Sequence, residues 1–144
     1  STHLSAAGII VRHHYERRRL TAMLYAILCY HDEDLVGSWT KEQDAAVMKK
    51  LAVVQDKLSQ QGRLGPVARL LPTTAATTLR KENPPLVLDG PFAETKEQLL
   101  GFYVVDCKNL DEALDVARDL GAANPGGAYE IRPVGTFTPG SVQP

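Results

Sequence analysis

At 144 residues with 44% apolar content, the chain has material for one hydrophobic core and falls in the size range of a single domain. Its 16 basic and 17 acidic residues leave no positive field to gather nucleic acid or an anionic membrane surface, and no basic and aromatic stripe offers bases a place to stack. No apolar run approaches the roughly twenty residues that cross a bilayer, so neither nucleic acid nor membrane is expected as a partner.

The first 22 residues, STHLSAAGIIVRHHYERRRLTA, put a short apolar patch ahead of His13-His14 and a basic cluster. A secretion signal has the opposite order and a longer apolar stretch. Met23 directly precedes the first convincing strand, so the native start is expected there, with 1–22 a tag or translated upstream sequence. Purine-rich codons resembling a bacterial ribosome-binding site can encode Glu16-Arg17-Arg18, in keeping with that start. His13-His14 alone falls short of the ligand count of a real metal site, and no metal is expected.

Residues 24–30, LYAILCY, are apolar at nearly every position, where a strand with one wet face would alternate. Both faces of this strand are therefore expected to be covered. Thr40 stands where an N-cap belongs, with Gln43 three residues on, and Val47, Met48, Leu51, Val54 and Leu58 recur at helical spacing until Gly62. Residues 63–71 and 77–81 read as two strands joined by a Pro-Thr-Thr-Ala turn, with Gly65-Pro66 at an edge or bulge. Asn83-Pro84-Pro85 stops the pattern before a short strand at 86–89. A further strand is expected at 100–107. Asn109 then caps a second helix, with Leu110, Ala113, Leu114, Ala117 and Leu120 on one face and Gly121 at its end. Residues 128–134 form the last predicted strand, and 139–144 a tail. Cys29 and Cys107 fall in predicted strands among apolar neighbours, the habitat of free buried thiols, which points to a reducing cytoplasm.

The order β-α-β-β-(β)-β-α-β favours an α+β sandwich with both helices on one face of a mainly antiparallel sheet. The other face then needs a cover, because the first strand is apolar on both sides. The economical cover is the same face of a second copy, which predicts a homodimer through sheet faces.

Between the strands at 86–89 and 100–107 the chain reads Leu88-Asp89-Gly90-Pro91-Phe92-Ala93-Glu94-Thr95-Lys96-Glu97, followed by Gly101-Phe102-Tyr103. This stretch resembles the signature of the DGPF-domain proteins, a branch of the YCII-related family. The opening strand at 25–33, the helix ending at Gly62 and Glu130-Ile131-Arg132-Pro133 occupy the matching places, so the resemblance spans 23–138. It implies a ferredoxin-like fold paired as a dimeric α+β barrel. In YCII-like relatives an enzymatic role is attached to a histidine on the first helix acting with an aspartate. Here every histidine lies at or before His31 and the region around Leu51 has none, so that pair does not carry over.

Asp89-Gly90-Pro91 has two readings. In the structural one, aspartate accepts from the turn amides, glycine permits positive φ and proline fixes the next step. In the functional one, Asp89 stands beside a cleft as general base or as acceptor for a ligand hydroxyl or amine. Glu94 and Lys96 are candidates for ligand contact or for capping, with Glu94 near a helical N-terminus if 95–98 make a helical turn, whereas Glu97 reads as solvated. Tyr30, His31 and Asp32 end the first strand, where side chains can overhang a cleft. His31, read as a surface histidine, is the weaker catalytic candidate, and Tyr30 a candidate wall. Tyr103 is expected to pack, or to face the ligand; Arg132 is expected to pair with Asp89 or Glu94. The function expected is binding of a small organic molecule in a cleft between sheet and helices, with cofactor-free acid–base catalysis as the activity if there is one. The alternative is a non-catalytic sensing or interaction module in which the DGPF connection is structural.

Overall fold

The computed structural model describes residues 23–143. The expectations for 1–22, including the non-native extension and His13-His14, lie outside the described residues.

Strand β1 (Met23–His31) buries Tyr25, Ile27 and His31 and leaves its even-numbered residues less completely covered. Alternate side chains of a strand point to opposite faces, so the odd set meets the core. Asp32 then caps a five-residue helix, α1 (Glu33–Gly37), accepting from the amides of Asp34 at 2.9 Å and Leu35 at 3.3 Å. Acidic Glu33 and Asp34 in its first turn suit the positive end of the helix. The long helix α2 (Lys41–Gln60) opens with the expected capping box: the Gln43 amide donates to Thr40 Oγ1 at 3.1 Å and the Thr40 amide to Gln43 Oε1 at 2.9 Å. Beyond its C-cap Gln61, Gly62 takes a positive φ of 66°.

Strand β2 (Leu64–Arg69) follows, then a 3-10 turn at Thr73–Ala75, the short strands β3 (Thr77–Arg80) and β4 (Leu86–Asp89), and the long strand β5 (Gln98–Cys107). Helix α3 (Leu110–Ala123) and strand β6 (Ala128–Pro133) complete the described elements. The main sheet has the order β2-β5-β1-β6, with every neighbouring pair antiparallel. Each of the two β-α-β units, β1-α2-β2 and β5-α3-β6, thus has its two strands separated by a strand of the other. Ile27, Val105 and Cys107 of the sheet meet Leu51 and Leu58 of α2 and Ala113, Val116 and Leu120 of α3 in one core cluster. Both α2 and α3 therefore cover the same face, as the patterning predicted. Arg63 ties the layers at one end: Nε donates to the Asp106 carbonyl at 3.0 Å and the guanidinium meets Glu112 of α3 at 2.7 Å.

Gly65-Pro66 sits on the edge strand β2, at a register shift between Leu64 and Val67, so the missing proline N–H breaks no central ladder. Four details depart from the sequence reading. β2 and β3 are not a hairpin, because β2 joins the main sheet and β3 pairs only with β4. α3 runs through Gly121 to Ala123, with Asn124 as its C-cap. Residues 95–98 make no helical turn, since β5 already begins at Gln98. Arg132 pairs with Glu130, two residues away on the same face of β6, rather than with Asp89 or Glu94.

Candidate functional site

A pocket of about 120 Å³ lies between the sheet and α2. The end of β1 supplies Cys29, Tyr30 and His31, α2 supplies Val47, Met48 and Leu51, and Trp39 enters from the link between α1 and α2. Val67 and Arg69 of β2 and Leu100 to Tyr103 of β5 form a further wall. Asn124, Gly126 and Tyr129, on the turn into β6, complete it. Its volume is close to the roughly 150 Å³ of an apolar cavity that admits benzene.

The sequence gives the pocket an apolar body and a polar end. His31 is only 8% exposed, so it is a buried histidine rather than the solvated one expected from its place at a strand end. Its ring meets Trp39 edge to face, with centroids 6.2 Å apart. The turn after α3 presses on the imidazole: a Cβ added to Gly126 would lie 2.7 Å from His31 Nε2, and one added to Gly127 would overlap the Tyr30 carbonyl. Both glycines take positive φ, 98° and 75°, which makes the close approach possible. Among the described residues, the buried side-chain atoms with no hydrogen-bond partner are His31 Nδ1 and Asn124 Oδ1, and both residues line this pocket.

The environment favours neutral groups. Burial pushes the Cys29 thiol up to about 12, and the thiol lies 3.7 Å from the Ile27 carbonyl as its acceptor. Burial, then the nearby Cys29, raises the Tyr103 phenol, opposed by a hydrogen bond with Gln55. Tyr129 is likewise raised, first by burial. At the rim, Arg69 grips Asp44 with two contacts, at 2.9 and 3.3 Å, so the two charges answer each other. Among the described residues no group of three or more His, Cys, Asp and Glu side chains could hold a metal ion.

Of the sequence candidates, Tyr30, His31 and Tyr103 come together here. Asp89, Glu94 and Lys96 do not line the pocket; all three are exposed, on or beyond the β3–β4 ribbon. In the DGPF connection the Gly90 amide donates to the Ala76 carbonyl and Thr78 Oγ1 to the Gly90 carbonyl, each at 2.8 Å, closing the ribbon. Farther along, Gln98 Oε1 accepts from the Glu33 amide at 3.0 Å, so the connection ends by anchoring α1. Asn124, Trp39, Gln55 and Tyr129 were not sequence candidates. The available signal was the Asn124-Pro125-Gly126-Gly127 turn, whose paired glycines announce a close backbone approach.

Residues 23–138 match the YCII-related domain. The chain belongs to the YCII-related family. An uncharacterized protein of Rhizobium meliloti (strain 1021) is 60% identical to this YCII-related chain over 122 residues, 83% of this chain and 98% of the relative. Among the described residues of this family member, no helix is long and apolar enough to cross a membrane.

Proposed function

We propose that this YCII-related protein binds a small organic molecule in the pocket between the sheet and α2, with His31 positioned for acid–base chemistry without a cofactor. The observation that carries this reading is that His31 and Asn124, whose buried Nδ1 and Oδ1 have no hydrogen-bond partner, both line one apolar pocket. Buried polar atoms are nearly always hydrogen-bonded, so two unpaired ones in one cleft favour a ligand that pairs with them. The test is an NMR titration of a small-molecule fragment library against the whole chain. Hits should shift His31, Trp39 and Tyr103; a library whose hits shift only the β3–β4 ribbon would sink the pocket reading.

The strand order, with two interleaved β-α-β units, supports a ferredoxin-like fold. Leu24, Ala26 and Leu28 alternate with the buried Tyr25 and Ile27 and lie outside the core cluster, and they support pairing of two such sheets as a dimeric α+β barrel. Free Cys29 and Cys107 support a cytoplasmic location. Light scattering at micromolar concentration should give a dimer. Leu28→Asp, which sets a carboxylate beside Glu130 at the centre of that face, should give a folded monomer. A wild-type monomer would remove the sheet-to-sheet arrangement.

The placement of Asp89, Glu94 and Lys96 outside the pocket favours a second reading, in which the DGPF connection is a structural or interaction element and the pocket serves sensing alone. Asp89→Asn tests whether the DGPF connection is structural. As a ligand group, Asp89 would lose binding with the fold intact. As a clasp residue it would leave binding unchanged and cost about 1 kcal/mol or less by thermal denaturation, the scale of one hydrogen bond.

A further inference from the structure

The chemistry of the pocket wall narrows the ligand, on the premise that the pocket is the binding site. A carboxylate meets no free guanidinium, because Arg69 at the rim contacts both oxygens of Asp44, and it would depend on a protonated His31. An ammonium has no free anion, because Asp44, the acid among the lining residues, is the one so engaged. The thiol of Cys29 and the phenols of Tyr103 and Tyr129 are neutral at ordinary pH, and their surroundings penalise charge. The wall therefore favours an uncharged ligand, with His31 neutral.

Two further features set its shape and its polar group. The walls include Trp39, Tyr103 and Tyr129 with the thioether of Met48, surfaces that favour the face or edge of a ring, and about 120 Å³ suits a single ring. Asn124 Oδ1 needs a donor, and His31 Nδ1 needs a donor or an acceptor according to its tautomer. A hydroxyl is both. It donates to Asn124 Oδ1 and accepts from His31 Nδ1 when that nitrogen carries the proton, whereas a carbonyl or ether oxygen offers nothing to Asn124 Oδ1. The glycine turn that lies on the imidazole begins two residues after Asn124, so His31 and Asn124 are neighbours in the lining. We propose that the ligand is an uncharged, single-ring phenol whose hydroxyl is bound at the His31–Asn124 end and whose ring lies against Trp39.

Phenol, toluene and benzoate, titrated calorimetrically into the whole chain, test this directly. Phenol should bind about tenfold more tightly than toluene, the factor that one ordinary hydrogen bond supplies, and benzoate more weakly than either. Asn124→Leu should bring phenol down to toluene. Val67→Trp, which fills the cleft from the half-exposed edge strand, should abolish binding at an unchanged melting temperature; Met48→Trp, from the helix side, does the same if the strand variant melts early. If toluene or benzoate binds as well as phenol and is displaced by the filling variant, the phenol assignment is wrong and the pocket reading stands. Phenol preference that survives Asn124→Leu overturns the hydroxyl seat. If none of the three binds, or binding ignores both filling variants, the phenol assignment and the pocket reading fall together.

Discussion

Gly101→Ala is expected to lower the melting temperature by on the order of 10 °C, a loss of about 3 kcal/mol, the upper end of overpacking costs. Gly101 has an ordinary backbone conformation, so strain in φ is not the reason. The reason is space: it pairs with Cys29 on one side and Arg69 on the other, and an added methyl would fall inside the shell of the Ala68 carbonyl oxygen. A backbone oxygen cannot rotate away as a side chain can, so β2 must move off β5. Because Ala68 and Gly101 both line the pocket, that movement should also weaken whatever the pocket binds. A variant melting within 2 °C or so of the parent would mean that the edge strand slides freely. The glycine of the Gly101-Phe102-Tyr103 part of the motif is then accounted for by sheet geometry and not by chemistry.

Alkaline pH should destabilise the protein steeply, and Cys29 should set the onset. Its thiol is raised by burial from 9.0 to about 12, so the neutral form is favoured in the fold. The sign follows: the contribution is complete below pH 9 and is lost as pH rises toward 12, amounting to roughly 2–3 kcal/mol by pH 11. Tyr103 and Tyr129, also raised mainly by burial, extend the loss further up the scale. Urea denaturation at intervals between pH 8 and 11 measures it. Cys107, whose thiol is also raised by burial, shares the lower part of the profile, so Cys29→Ala should reduce its slope there while the tyrosines keep the upper part. A flat profile, or one that Cys29→Ala leaves unchanged, would show that water reaches this cluster.

What the sequence disclosed follows the reach of its interactions. The capping box of Thr40 and Gln43 and the Asn109 cap of α3 are local, so they were legible residue by residue. So was the edge position of Gly65-Pro66, because proline states its own constraint. α1 was missed because five residues are too few to show a helical period, although the charges of Asp32, Glu33 and Asp34 that cap and start it were plain. β2 and β3 looked like a hairpin because they are adjacent in sequence, but β2 follows β5, more than thirty residues on, and leaves β3 to pair with β4. The motif drew attention to Asp89, Glu94 and Lys96. The polar end of the pocket instead gathers His31, Trp39, Asn124 and Tyr129 from both ends of the domain, and no local pattern joins them. His31 read as solvated because its cover, the Gly126-Gly127 turn, lies almost a hundred residues away.

The central position of β1 also fixes when the domain can become stable. Its neighbours are β5, starting at Gln98, and β6, ending at Pro133, so this strand finds both partners only after nearly all the described chain has been synthesised. Until then an almost uninterrupted apolar strand has nothing to pair with, and loop closure over this span must precede any gain from the contacts. An exposed apolar strand awaiting distant partners is also the kind of segment that aggregates before folding is complete, so Leu24 to Tyr30 are the stretch most in need of prompt pairing.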